Sequence, residues 1–105
     1  MSQNHENFIA AIHGKKLVSI DVITEEKGYI ERKCVPYDFA VSTKYKDGLE
    51  RYHFNDLTSP DGPHNLAVLP ENLVKLTILE EDFNPGDYVK WQPHWTIARD
   101  WGQFS

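Results

Sequence analysis

The chain has 105 residues, 16 acids against 11 lysines and arginines for a net charge of −5, and 40% hydrophobic and 12% aromatic residues. That length and composition suit one globular domain with its own core and exclude a disordered chain. The acid excess argues against direct nucleic-acid binding, which needs clustered cations, and the single cysteine, Cys34, excludes an intramolecular disulfide and a cysteine-based zinc site.

The opening "MSQNHENF" lacks the basic and apolar regions of a signal peptide, and no apolar run approaches the ~18 residues of a membrane span. With a lone cysteine, the expected setting is cytoplasmic and reducing. "NHENFIAAIHG" predicts a helix over 4–14. Asn4 is the candidate N-cap, Phe8 and Ile12 lie four apart with Ala11 beside them, and Gly14 is the stop. From residue 16 the period becomes two: Val18, Ile20 and Val22 alternate with Ser19 and Asp21, a half-buried strand. "EEKG" turns the chain and "YIERKCVPY" returns it. Pro36 lacks a ladder donor, so it marks an edge, a bend or a strand end.

"DFAVSTKY" and "LERYHF" predict a hairpin around Lys46-Asp47-Gly48. "TSPDGPHN" has two prolines and a glycine in eight residues and reads as loop. "LAVL" is a short strand, "PEN" a helical turn, and "LVKLTILEEDF" a strand with Val74, Leu76 and Ile78 on one face. After the turn "NPGD", the segment "YVKWQPHWTIARDWGQF" places three tryptophans within eleven residues. Pro93 can open a short C-terminal helix with Ile97 and Trp101 four apart and Gly102 as its stop. The expected architecture is mainly β: a single domain over 1–105, with a small bent or closed SH3-like or Sm-like barrel of five or six strands over 16–83. An aromatic tail over 84–105 packs on the barrel or on a partner.

The opening helix, "LVSIDV", the Arg-x-x-x-Pro element of "RKCVPY", the hairpin and the last strand ending in "LTILEEDF" together resemble the WYL domain over residues 7–83. The resemblance implies an Sm/SH3-like barrel of the kind found in bacterial transcriptional regulators, here stand-alone, and hence a ligand-sensing module. Tyr52-His53-Phe54 stands where that family carries Trp-Tyr-Leu, Asn72 stands at the place of a basic residue, and Arg32 keeps the family's arginine.

Arg32 shares strand parity with Ile30 and Cys34, so its cation needs a carboxylate, an anion or water. A salt bridge to Asp21, Asp38 or Glu50, or exposure at a bend, stands beside an anion-binding role, with Tyr52 and His53 as further ligand candidates. Tyr52 and Phe54 also read as core. The five histidines form no zinc-like spacing and no nucleophile has a catalytic context, so neither a metal, a cofactor nor an enzymatic role is expected. Trp91, Trp95 and Trp101 read either as a plug for the barrel end or as a surface for a protein partner or homodimer. The leading expectation is a non-enzymatic module for a small anionic or nucleotide-like ligand. The other is an acidic protein-interaction subunit acting through its surface and tail.

Overall fold

Ser2, not Asn4, caps the first helix: its hydroxyl accepts the His5 N–H at 3.2 Å, in a computed structural model that describes residues 2–105. Helix α1 spans Gln3–Gly14 and buries Phe8, Ala11 and Ile12. It ends at Gly14 as expected, but Lys15 rather than Gly14 takes the left-handed conformation (φ 54°) and donates its N–H to the carbonyls of Ala11 and Ile12. Asn4 has a different task. Its side chain donates to the carbonyls of Leu73 and Val74 at 3.2 Å each and accepts from Leu76 N–H at 3.0 Å.

Five antiparallel strands follow: β1 (Lys16–Thr24), β2 (Gly28–Val41), β3 (Glu50–Asp56), β4 (His64–Val68) and β5 (Leu73–Asp82). Their order across the sheet is β4-β3-β2-β1-β5, so β5 folds back onto β1 and the ladder stays open between β4 and β5. The sheet nevertheless curls. Residues 22–24 of β1 and 66–68 of β4 line one common cleft of about 210 Å³.

Two sequence expectations meet bulges, and one of them fails. Pro36 marks an edge, one of the three places expected for it: β2 runs through it, past the last β1 pair at Val18–Cys34, and the register slips between Pro36 and Asp38. In β5 the pairing moves from Asp21–Lys75 to Val22–Leu73, which leaves Val74 unpaired. That extra residue takes Val74 off the expected inward face. Leu73 and Leu76 are buried and Leu79 is half-buried, whereas Val74 and Ile78 are exposed. The Asn4 amide occupies backbone groups at this bulge, which explains why a polar side chain lies between helix and sheet.

The sheet has two dissimilar faces. On one, Tyr52 and Phe54 meet Phe8 edge-on at 4.9 and 5.4 Å, and α1 covers them. Alternation sends His53 and Asn55 to the other face, beside Asp38 and Ala67, and Val35 and Asn65, respectively. The tail runs differently from expectation. No helix forms over 93–101; the short helix α2 (Pro85–Tyr88) and a 3-10 turn at Gly102–Phe104 are its regular elements. Trp101 still reaches the core, at 3% exposure, and donates its indole N–H to the Ile12 carbonyl at 2.9 Å. One apolar cluster therefore joins helix, sheet and tail.

Candidate functional site

Arg32 lies on the α1 side of the sheet, as its parity with Ile30 and Cys34 requires, in register with Ile20. Its partner is none of the three carboxylates expected from the sequence. Asp56, next to Cys34 across the β2–β3 ladder, sits with Oδ2 at 3.2 Å from Arg32 Nε. The two side chains are 13% and 2% exposed, so this is a largely buried ion pair. Arg32 also donates to its neighbour Glu31's carbonyl at 3.0 Å, and Asp56 accepts from Thr58 N–H at 3.0 Å. The pair neutralises a charge that would otherwise be costly inside the fold. Burial, aided by Asp56 and opposed by Arg32, pushes the Cys34 thiol far above its ordinary range, so this cysteine is an inert core residue.

Tyr52 belongs to that same closed side. It is buried, its hydroxyl lies 2.9 Å from His5 Nδ1, and its ring packs on Phe8 and Phe39. His53 faces the other way. Six residues of strand separate Arg32 from Asp38, the β2 partner of His53, about 20 Å at strand spacing. Arg32, Tyr52 and His53 therefore do not form the common site suggested by the sequence.

His53 instead stands on the floor of a groove of about 670 Å³ between the sheet and the tail. The floor comes from Ala40 in β2, His53 in β3 and Ala67 in β4, and two alanines flanking an imidazole leave the space. His53 Nε2 lies 2.9 Å from the Ala40 carbonyl, which can only accept, so this nitrogen carries the hydrogen. Lys44 and Tyr45 of the β2–β3 loop form one lip, and His64 and Asn65 extend the lining along β4. The opposite wall is tail: Trp91, His94 and Trp95. Tyr37 at the bulge joins the two, edge-on to Trp91 at 5.5 Å and held by Asn55 Nδ2 at 3.1 Å.

Asp38 fastens that wall. One carboxylate oxygen accepts the Thr96 N–H at 2.8 Å and the other the Ile97 N–H at 2.9 Å, with Arg99 Nη2 at 3.4 Å. The Arg99 guanidinium lies 4.0 Å from the Trp95 ring and 4.5 Å from that of Trp101, with no side-chain exposure. Burial pulls its pKa down to about 10 against the pull of Asp38. The three tryptophans thus divide. Trp101 is core and is corrected from its expected role as a partner-binding residue; Trp95 is half-buried and donates to the Phe104 carbonyl at 2.8 Å; Trp91 is 47% exposed at the groove.

Sequence reasoning found His53, Trp91 and Trp95 but not Tyr37, Lys44, His64 or His94. The missing signal was register, since only cross-strand pairing reveals Asp38 and Ala67 beside His53. No group of three metal-ligating side chains converges among the described residues, and no helix there is long and apolar enough to cross a membrane. No family model, no curated protein and no solved structure matches the chain.

Proposed function

We propose that the protein is a non-enzymatic binding module of WYL-like, Sm/SH3-like barrel type, which takes a small anionic or nucleotide-like ligand in the groove between sheet and tail. The order of elements supports that class: a leading helix, then an antiparallel meander in a curled sheet whose last strand returns to the first. One observation carries the site. In a chain of net charge −5, the groove is lined by Lys44 and three imidazoles against one carboxylate, Asp38, whose oxygens are already engaged by the tail. Its volume is that of a small-molecule site. Arg32, already matched by Asp56, drops out of the ligand set, and the regulatory, cytoplasmic setting rests on the WYL resemblance and the lone cysteine.

An NMR titration with inorganic phosphate, pyrophosphate and a panel of mononucleotides tests this reading. Amide shifts should concentrate at residues 37–45, 53, 64–67 and 91–95. No movement at millimolar ligand, or movement confined to residues 30–34, would refute the groove.

A second reading, an acidic protein-interaction subunit or homodimer, is favoured by a different surface. Ile23 and Tyr29 pair across the β1–β2 hairpin tip at 53% and 62% exposure. Sedimentation equilibrium would show a concentration-dependent mass that Tyr29→Asp abolishes; a monomer throughout would remove the homodimer.

A further inference from the structure

Trp91 differs from its two neighbours in a way that suggests a use. The indole N–H groups of Trp95 and Trp101 are each satisfied by a backbone carbonyl, whereas that of Trp91 meets no protein acceptor among the described residues. Its contacts with Tyr37 and Trp95 are both T-shaped, at 83° and 66°, so neither ring lies parallel on the indole. Across the groove, Tyr45 is also exposed, with the Lys44 amine 5.5 Å from its ring centroid. The groove therefore has an aromatic surface at each lip, one free indole donor and a cation at the far lip.

We infer that Trp91 is the specificity-determining residue of the groove, a stacking platform that selects a planar aromatic anion, such as a nucleoside monophosphate, over an anion without a ring. The inference rests on the groove's being an anion site, as proposed above. Stacking answers the exposure of Trp91: a half-exposed indole has a π-face to offer, and a base laid on it gains dispersion while displacing water. Charge completes the match, because the phosphate can turn towards Lys44 while the only lining carboxylate is held by the tail.

Calorimetry on the full chain with adenosine 5′-monophosphate, ribose 5-phosphate and adenosine tests it, repeated on Trp91→Phe and Trp91→Leu. Both variants keep an apolar side chain, and the Trp101 indole N–H resonance reports whether the tail is still docked. The nucleotide should bind roughly tenfold tighter than ribose 5-phosphate, lose about tenfold in Trp91→Leu and recover most of it in Trp91→Phe. Ribose 5-phosphate should be insensitive to both changes. Equal binding of nucleotide and ribose 5-phosphate, or equal losses in the two variants, would overturn the stacking role while the anion site stands. If neither phosphate binds, the anion site itself falls.

Discussion

The two faces of the sheet are built on opposite plans. The α1 face is closed by regular structure: a helix with its apolar side chains at helical spacing sits on strands that alternate, and Phe8, Tyr52 and Phe54 are buried edge to face. The other face is covered by chain with almost no regular structure, held by one carboxylate and a guanidinium between two indoles. A periodic cover fills its face, because every turn brings another apolar side chain down. An aperiodic cover touches the sheet only where particular groups meet, and between those points it leaves room. The groove is the consequence of the second plan, and it predicts that the two faces will respond differently to damage.

The largest effects should appear where the faces meet. Removing residues 90–105 strips Trp95 and Trp101 from the core and should cost several kcal/mol. Phe8→Ala and Trp101→Ala should each destabilise by about 3–5 kcal/mol in urea denaturation, since both rings are buried. Trp101 is the stringent case: although it belongs to the tail, its bond to Ile12 ties it to α1, so its loss should be global. A truncated chain that melts like the full one would show that the tail is merely laid on.

Asp38→Asn should act on one face only. It leaves Arg99 buried without its counter-charge and weakens two bonds to tail N–H groups, for about 2–3 kcal/mol. Exchange protection at Thr96 and Ile97 should collapse while the amides of β1 keep theirs. Uniform loss across both faces would contradict the division.

The closed face was largely legible in the sequence, because helical and strand periods record burial directly. Phe8, Ala11, Ile12, Val18, Ile20 and Val22 all lie where their spacing puts them. The errors came from residues that act across the chain. Asn4 looks like a cap and is a clamp on a bulge 70 residues away. Val74 looks inward until that bulge turns it out. Arg32 was set on the right face, but its partner Asp56 depends on the β2–β3 register, which a slip at Pro36 decides. The open face was hardly legible at all, since Asp38, Arg99 and the tail tryptophans share no period and converge only after the sheet exists.

The closed face also makes a prediction about pH. The Cys34 thiol is raised in the folded protein, so the unfolded chain alone loses its proton once pH passes the ordinary thiol range. This contribution is intact below about pH 8.5 and is lost as pH rises from there towards the folded value. Urea stability should fall by roughly 1 kcal/mol per unit between pH 9 and 10, and Cys34→Ala should flatten that slope. In the same protein a thiol reagent should react only as fast as the fold opens. Rapid labelling under native conditions would mean that the face is not closed.

The smallest expected effect is at the lip of the groove, and it tests whether the open face can loosen by parts. The β2–β3 loop holds its shape through Asp47. That carboxylate accepts two bonds from Arg51, at 3.0 and 2.9 Å, and one from Leu49 N–H at 3.0 Å. The Arg51 bonds first, then the Leu49 amide, pull its pKa from 3.8 down to about 2. A depressed carboxylate supports the fold above its unfolded pKa, and the support disappears as pH falls through the folded one, here between about 4 and 2. Arg51 also covers the Tyr45 ring at 4.1 Å, so releasing it should free Tyr45 and Lys44 at the lip. Over that window the Leu49 amide should shift and exchange at residues 44–49 should quicken. Asp47→Asn should show the loosened loop already at neutral pH, with Thr96 and Ile97 on the opposite wall still protected there, and no further step at residues 44–49 in acid. If the substitution instead frees both walls together, the lip and the tail are one unit, and the groove opens as a whole or not at all.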